Sequence, residues 1–248
     1  MKICRYLSLS ALLVLLFCLA SVPSQGQEES ISATDSILFN WTNQGYILLD
    51  QYKYEDALVA FDNALDINKS YPAAWTGRGS AFNDMGNYSE ALQSYDKALD
   101  LNPEYVSAWI GKGIAYHGMG NYSEALQSYD KAIELHLADG NALNGKAWLL
   151  YKRGQYDQAV EYAARAIEIQ TADLSATLDT EGMALAGLGK YEEALGYINR
   201  SLDLEPLDAI VWIHKGDILK AMGKQAEADA AYAQSKQLPE QYLGGESV

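Results

Sequence analysis

WTGRGSAFNDMGNYSEALQSYDKALDLNP, Trp75 to Pro103, holds one complete unit of a pattern that fills most of this 248-residue chain. Apolar and small residues recur in it every three or four positions, first from Pro72 to Asp84 and again from Ser89 to Leu101. That period predicts two amphipathic helices, and the Gly-Asn pair between them supplies the turn. Pro103 closes the unit, because proline cannot continue the preceding helix. Part of the stretch, MGNYSEALQSYDKA, occurs at 85–98 and again without change at 119–132.

The repetition extends well beyond the duplicated segment. Trp41, Trp75, Trp109, Leu143, Leu178 and Trp212 align with spacings of 34, 34, 34, 35 and 34 residues. A small residue follows each (Gly45, Gly79, Gly113, Ala147, Gly182, Gly216), and an alanine later in each unit (Ala57, Ala91, Ala125, Ala159, Ala194, Ala228). A two-helix unit cannot bury its apolar face alone, so such units must stack into a solenoid. Leu58, Leu92, Leu126, Val160 and Leu195, and seven residues on Leu65, Leu99, Ile133, Ile167 and Leu202, occupy positions expected to touch the next unit. In the sixth unit these become Asp229 and Lys236, which predicts that the stack ends there.

Trp75, Gly79, Tyr88, Ala91, Tyr95, Ala98 and Pro103 resemble the tetratricopeptide repeat. The resemblance runs from about Leu38 to Leu238 and implies an all-α fold, a right-handed superhelix of six antiparallel helix pairs. Repeats are expected near 38–71, 72–105, 106–139, 140–173, 175–208 and 209–238, within an array spanning 36–238, followed by a loose tail at 239–248. Repeat one departs from the pattern with Tyr52 where a turn glycine usually stands.

Residues 1–26 are of another kind. Lys2 and Arg5 precede the apolar run Tyr6 to Ala20, and the small-residue stretch Ser21 to Gly26 follows. That is the layout of a secretory signal peptide. Cleavage after Ala20, Ser24 or Gly26 fits, with Gly26 favoured; an uncleaved N-terminal anchor is the alternative, though the run is shorter than a spanning helix needs. Phe17 before Cys18 argues against lipid attachment there. Residues 27–35 read as a polar linker, with Thr34, Asp35 or Ser36 as a cap for the first helix. The expected location is outside the cytoplasm, secreted or at the cell surface. Both cysteines, Cys4 and Cys18, lie in the leader, so the remainder has no thiol for disulfides or metal.

The formal charge of −15 disfavours nucleic acid and anionic lipid, which need clustered Lys and Arg. His117, His136 and His214 share no metal-ligand spacing, and the carboxylates recur with the helical repeat as solvated faces. Neither an enzyme nor a cofactor is expected. Arg78, Lys112, Lys146 and Lys215 recur one residue before the small Gly or Ala, with stems expected to cover apolar surface and heads in water.

The resemblance implies that the first helix of each repeat lines a concave groove where partner peptides bind. The register then places Tyr46, Asn83, Ile110, Ile114, His117, Asn144, Trp148, Tyr151 and Met183 on that groove. Chaperone-adaptor members grip a C-terminal carboxylate through Lys, Arg and Asn; here those positions offer Thr42, Tyr46, Gly77, Ser107 and Gly111, so that clamp is missing. The expected partner is another protein or peptide, with no nucleic acid, and with membrane contact only if the leader stays attached; the oligomeric state stays open. A structural envelope component that self-associates is the alternative function. Five N-x-S/T sequons, at Asn40, Asn68, Asn87, Asn121 and Asn199, are candidate N-glycosylation acceptors.

Overall fold

The computed structural model describes residues 33–169 and 173–238. Among the described residues there are twelve helices and no strand. They are α1 (Ala33–Asp50), α2 (Tyr54–Ile67), α3 (Pro72–Asp84), α4 (Tyr88–Leu101), α5 (Val106–Gly118), α6 (Tyr122–Leu135), α7 (Gly140–Lys152), α8 (Tyr156–Glu168), α9 (Leu174–Gly187), α10 (Tyr191–Leu204), α11 (Ala209–Ala221) and α12 (Gln225–Gln237). Successive helices pack as pairs, and each pair packs on the next, giving the expected α-solenoid of six repeats. Residues 33–35, expected in the linker, are helical, so Thr34, Asp35 and Ser36 do not cap α1. The leader and the tail lie outside the described residues.

Backbone geometry fixes the turn inside each repeat. Gly86, Gly120, Gly154, Gly189 and Gly223 all have φ between 73° and 76°. The Gly86 amide donates to the Asn83 carbonyl and the Asn87 amide to that of Phe82, both at 2.8 Å. This pairing satisfies the carbonyls that the end of α3 leaves open. In repeat one Tyr52 takes the same left-handed conformation, φ 59°, at the steric cost a side chain incurs there. Asn87 and Asn121 follow the glycines with φ of −87° and −84°, so the turn does not require asparagine.

Helices α3, α5 and α11 are anchored by tryptophan. The indole N–H groups of Trp75, Trp109 and Trp212 donate to the carbonyls of Lys69, Pro103 and Pro206, pinning the linker that precedes each helix. Between repeats, Leu65 packs with Ala74, Leu99 with Ala108, Ile133 with Ala142, and Leu202 with Val211. Asp229 and Lys236 of the sixth repeat are exposed, as their chemistry predicts.

An aromatic ring fills the space between glycines of neighbouring repeats. Tyr95 lies between Gly79 and Gly111, Phe61 between Gly45 and Gly77, and Tyr129 between Gly113 and Gly145. In repeat four the matching residues are Ala147, Ala163 and Thr180, so the ring is lost where Cβ atoms are gained.

The cations that recur before the small residue do more than reach water. Arg78 pairs with Asp62 at 3.0 Å, Lys112 with Asp96 at 2.7 Å and Lys146 with Asp130 at 2.5 Å, each joining one repeat to its predecessor. They also lie over aromatic rings, as Lys112 does over Trp109 and Lys215 over Trp212. The equivalent residue of α9 is Glu181, buried at 4% exposure. Burial raises its carboxyl above the ordinary range, against the lowering effects of the Tyr197 hydrogen bond and Arg200.

Candidate functional site

The first helices of the first three repeats, α1, α3 and α5, together form a recess of about 340 Å³. Tyr46, Thr76, Ser80, Asn83, Asp84, Tyr95, Ser107, Ile110, Gly111 and Ile114 line it. Four of the residues expected on the groove (Tyr46, Asn83, Ile110 and Ile114) therefore meet in one place. Thr76, Ser80 and Ser107 share this lining, and as small hydroxyls they carry no signal of their own in the sequence. Asp84 and Tyr95 escape a reading by register. Asp84 is one residue past the last groove position, and Tyr95 comes from the second helix.

A hydrogen-bond network makes the floor. The Asn83 amide nitrogen donates to the Tyr95 hydroxyl at 2.9 Å and to the Gly111 carbonyl at 3.2 Å, tying α3 to α4 and α5. The Tyr95 hydroxyl donates to Ser80 Oγ at 3.4 Å, and Ser80 Oγ donates to the Thr76 carbonyl at 3.2 Å. The nitrogen is committed, and Asn83 Oδ1 is buried with no partner among the described residues. Thr76 Oγ1 has none either, at a residue only 3% exposed. Burial holds the Tyr95 and Tyr46 phenols far above their ordinary pKa, so both are neutral hydrogen-bonding groups.

The first helix of repeat four carries an aromatic cluster. Trp148 and Tyr151 pack with ring centroids 5.3 Å apart, and Tyr156 adds a third ring 6.0 Å from Tyr151. Trp148 and Tyr151 are half-buried, and the Lys152 ammonium stands 4.4 Å from the Trp148 ring centre. Met183, expected on the groove, is instead a core residue, 9% exposed, in the cluster with Leu185 and Ile198 against which Tyr151 packs. Asn144 is half-buried with Oδ1 unpartnered among the described residues, and His117 stacks at 5.7 Å on Tyr122.

Toward the C-terminal end, Asp179 of α9 and His214 of α11 form a pair that sequence reading missed. His214 Nδ1 lies 2.8 Å and 2.9 Å from the two Asp179 carboxylate oxygens. Burial alone would lower the His214 pKa, but the Asp179 hydrogen bond and the charges of Asp179, Asp217 and Asp208 raise it. Among the described residues no group of three or more His, Cys, Asp or Glu is placed to hold a metal ion. No helix there is long and apolar enough to cross a membrane.

Stacked helix pairs define the class: an α-solenoid repeat protein of a fold that typically serves as a non-catalytic interaction scaffold. Family models described as TPR repeat match residues 79–120, and those described as tetratricopeptide repeat match 104–172 and 180–241. The chain belongs to the tetratricopeptide repeat proteins, whose members bind other proteins or peptides. No curated protein sequence matches it. Among solved structures, a chain of the APC/C hetero-tetramer Cut9–Hcn1 is similar with a TM-score of 0.77 and 19% identity, over 83% of this chain. The chain spans 41% of that relative's length. A tetratricopeptide repeat protein from Parabacteroides merdae has a TM-score of 0.63 at 24% identity, covering 88% of this chain and 83% of its own. YrrB, described as a TPR protein with an unusual peptide-binding site, has a TM-score of 0.54 at 23% identity, covering 74% of this chain and 94% of its own.

Proposed function

We propose that the protein is an exported scaffold that holds an extended segment of another protein in its concave groove. The recess between α1, α3 and α5 carries this reading, because Tyr46, Ser80, Asn83, Ile110 and Ile114 in its lining differ from repeat to repeat. The ion pairs that join the repeats, by contrast, recur from unit to unit. The aromatic group at Trp148, Tyr151 and Tyr156 offers a second anchor, since clustered aromatics give large contact area at modest entropy cost. YrrB, of the same fold, is described as having a peptide-binding site, which agrees with this reading. Replacing Trp148 and Tyr151 together by alanine should weaken binding of a co-purifying partner at least about tenfold, the loss of one hot spot. Unchanged affinity in a folded variant would sink the groove site.

Export is supported by the leader and by the sequons. Asn87 and Asn121 are exposed, make no capping hydrogen bond and are not required by their turns. Asn40 and Asn199 are exposed on helices, whereas Asn68 Oδ1 accepts the Ser70 amide at 2.9 Å. Mass spectrometry of the native protein should find a processed N-terminus and glycan mass on Asn87 or Asn121. A chain retaining Met1 with every sequon bare would contradict export. One observation favours the second reading, an envelope component that self-associates: the first repeat exposes Phe39 at 63%, Val59 at 60% and Tyr52 at 79%. Concentration-dependent sedimentation would support that reading, and a persistent monomer would count against it.

A further inference from the structure

The recess between α1, α3 and α5 has a chemical polarity that the groove reading alone does not specify. Its single formally charged lining residue is Asp84, at the exposed mouth. No lysine or arginine lines the recess, and no cation lies within ion-pair distance of Asp84 among the described residues. Asn83 Oδ1 is buried in the recess wall without a partner among the described residues, its amide nitrogen being committed to Tyr95 and Gly111. Thr76 Oγ1, on a residue 3% exposed, is likewise unpartnered. Tyr46, Ile110 and Ile114 supply apolar wall. An exposed carboxylate with no cation beside it and an apolar wall next to it together match a long aliphatic stem that ends in a cluster of N–H donors.

We propose that this recess takes a lysine or arginine side chain of the bound protein segment. The stem lies along Tyr46, Ile110 and Ile114, and the charged head donates to Asp84. Charge complementarity extends beyond the recess, because the chain carries a formal −15 and a cationic segment is drawn to it from solution. Desolvation, with no cation to offset it, holds the Asp84 carboxyl above its ordinary pKa; a bound guanidinium or ammonium would reverse that shift. This inference rests on the groove reading and adds to it the kind of residue the groove selects.

The test uses amide NMR of the protein titrated with n-butylguanidinium and, separately, with its neutral analogue N-butylurea. The expected result is a saturable set of shifts confined to the amides of Asn83, Asp84, Gly111 and their neighbours, with the cation bound about tenfold more tightly than the urea. Asp84→Asn should bring the two probes to parity, whereas Glu90→Gln, at an exposed acid on α4, should leave the difference intact. Equal affinities, shifts spread over the acidic surface, or undiminished selectivity in Asp84→Asn would each overturn the proposal. If selectivity is absent while binding that depends on Trp148 and Tyr151 persists, this inference fails and the groove reading stands. If the alanine pair leaves partner binding unchanged, the groove reading itself fails.

Discussion

Replacing Gly111 by alanine should destabilise the array, although alanine is the better helix former. Tyr95 is 1% exposed, and its ring is held between Gly79 of its own repeat and Gly111 of the next. A Cβ on Gly111 would stand 2.6 Å from the Tyr95 hydroxyl oxygen and nearer still to the ring. The ring cannot retreat, because Gly79 is so close on the other side that a Cβ there would lie 2.6 Å from Cε1. Helix propensity favours alanine by about 0.5–1 kcal/mol. Overpacking a filled core costs about 1–3 kcal/mol, and any tilt of the ring weakens the hydroxyl's bonds to Asn83 and Ser80, together about 1 kcal/mol. The balance is a net loss of about 1–3.5 kcal/mol. Gly196→Ala is the counterpart: that exposed helical glycine has nothing within 4 Å, so the same change should stabilise by about 0.5–1 kcal/mol. In a Tyr95→Ala background the Gly111→Ala penalty should vanish, as repeat four already combines alanine at the ring position with larger neighbours. Urea unfolding followed by circular dichroism, fitted with nearest-neighbour coupling between repeats, measures all four variants. Equal stabilisation by Gly111→Ala and Gly196→Ala, or no coupling to Tyr95, would refute the ring-between-glycines account.

Tyr52→Gly should stabilise by about 1 kcal/mol, because it removes a side chain from a left-handed turn position that glycine occupies in every other repeat; a lower urea midpoint would contradict this. The Asp179–His214 pair gives the C-terminal repeats a pH dependence. Since the folded pKa of His214 is raised, the pair's contribution is full below about pH 6.5, the unfolded value, and is lost as pH rises through the higher folded value. His214→Gln should flatten that part of the midpoint-versus-pH curve, and an unchanged slope would show the pair to be irrelevant.

Residue spacing made the fold legible, because a 34-residue period with paired amphipathic helices admits few architectures. Leu65, Leu99, Ile133 and Leu202 lie between repeats because a heptad-spaced apolar pair must face something. The site was legible only in part. Register places Tyr46, Asn83, Ile110 and Ile114 on one face, but a recess also depends on where a neighbouring repeat ends, which brought in Asp84 and Tyr95. Met183 went to the core because the packing of Tyr151, from the preceding repeat, decides its exposure, and no pattern within one repeat carries that information. The Asp179–His214 pair joins residues 35 apart on different helices, in a repeat whose spacing itself shifts by one. For the recurring cations the missing information was the partner: Asp62, Asp96 and Asp130 look like solvated acids until the preceding repeat is set beside them.

Partner binding on the face that carries Ile114 and Trp148 can be probed by site-specific photo-crosslinking in the native source. A photoreactive phenylalanine analogue is placed at Ile114 or Trp148 on the concave side, and at exposed Gln93 or Gln127 on second helices as controls. The account predicts that Ile114 and Trp148 crosslink to one defined segment of a partner protein while Gln93 and Gln127 do not. Crosslinks arising only from Gln93 and Gln127, or only to further copies of this chain, would contradict it.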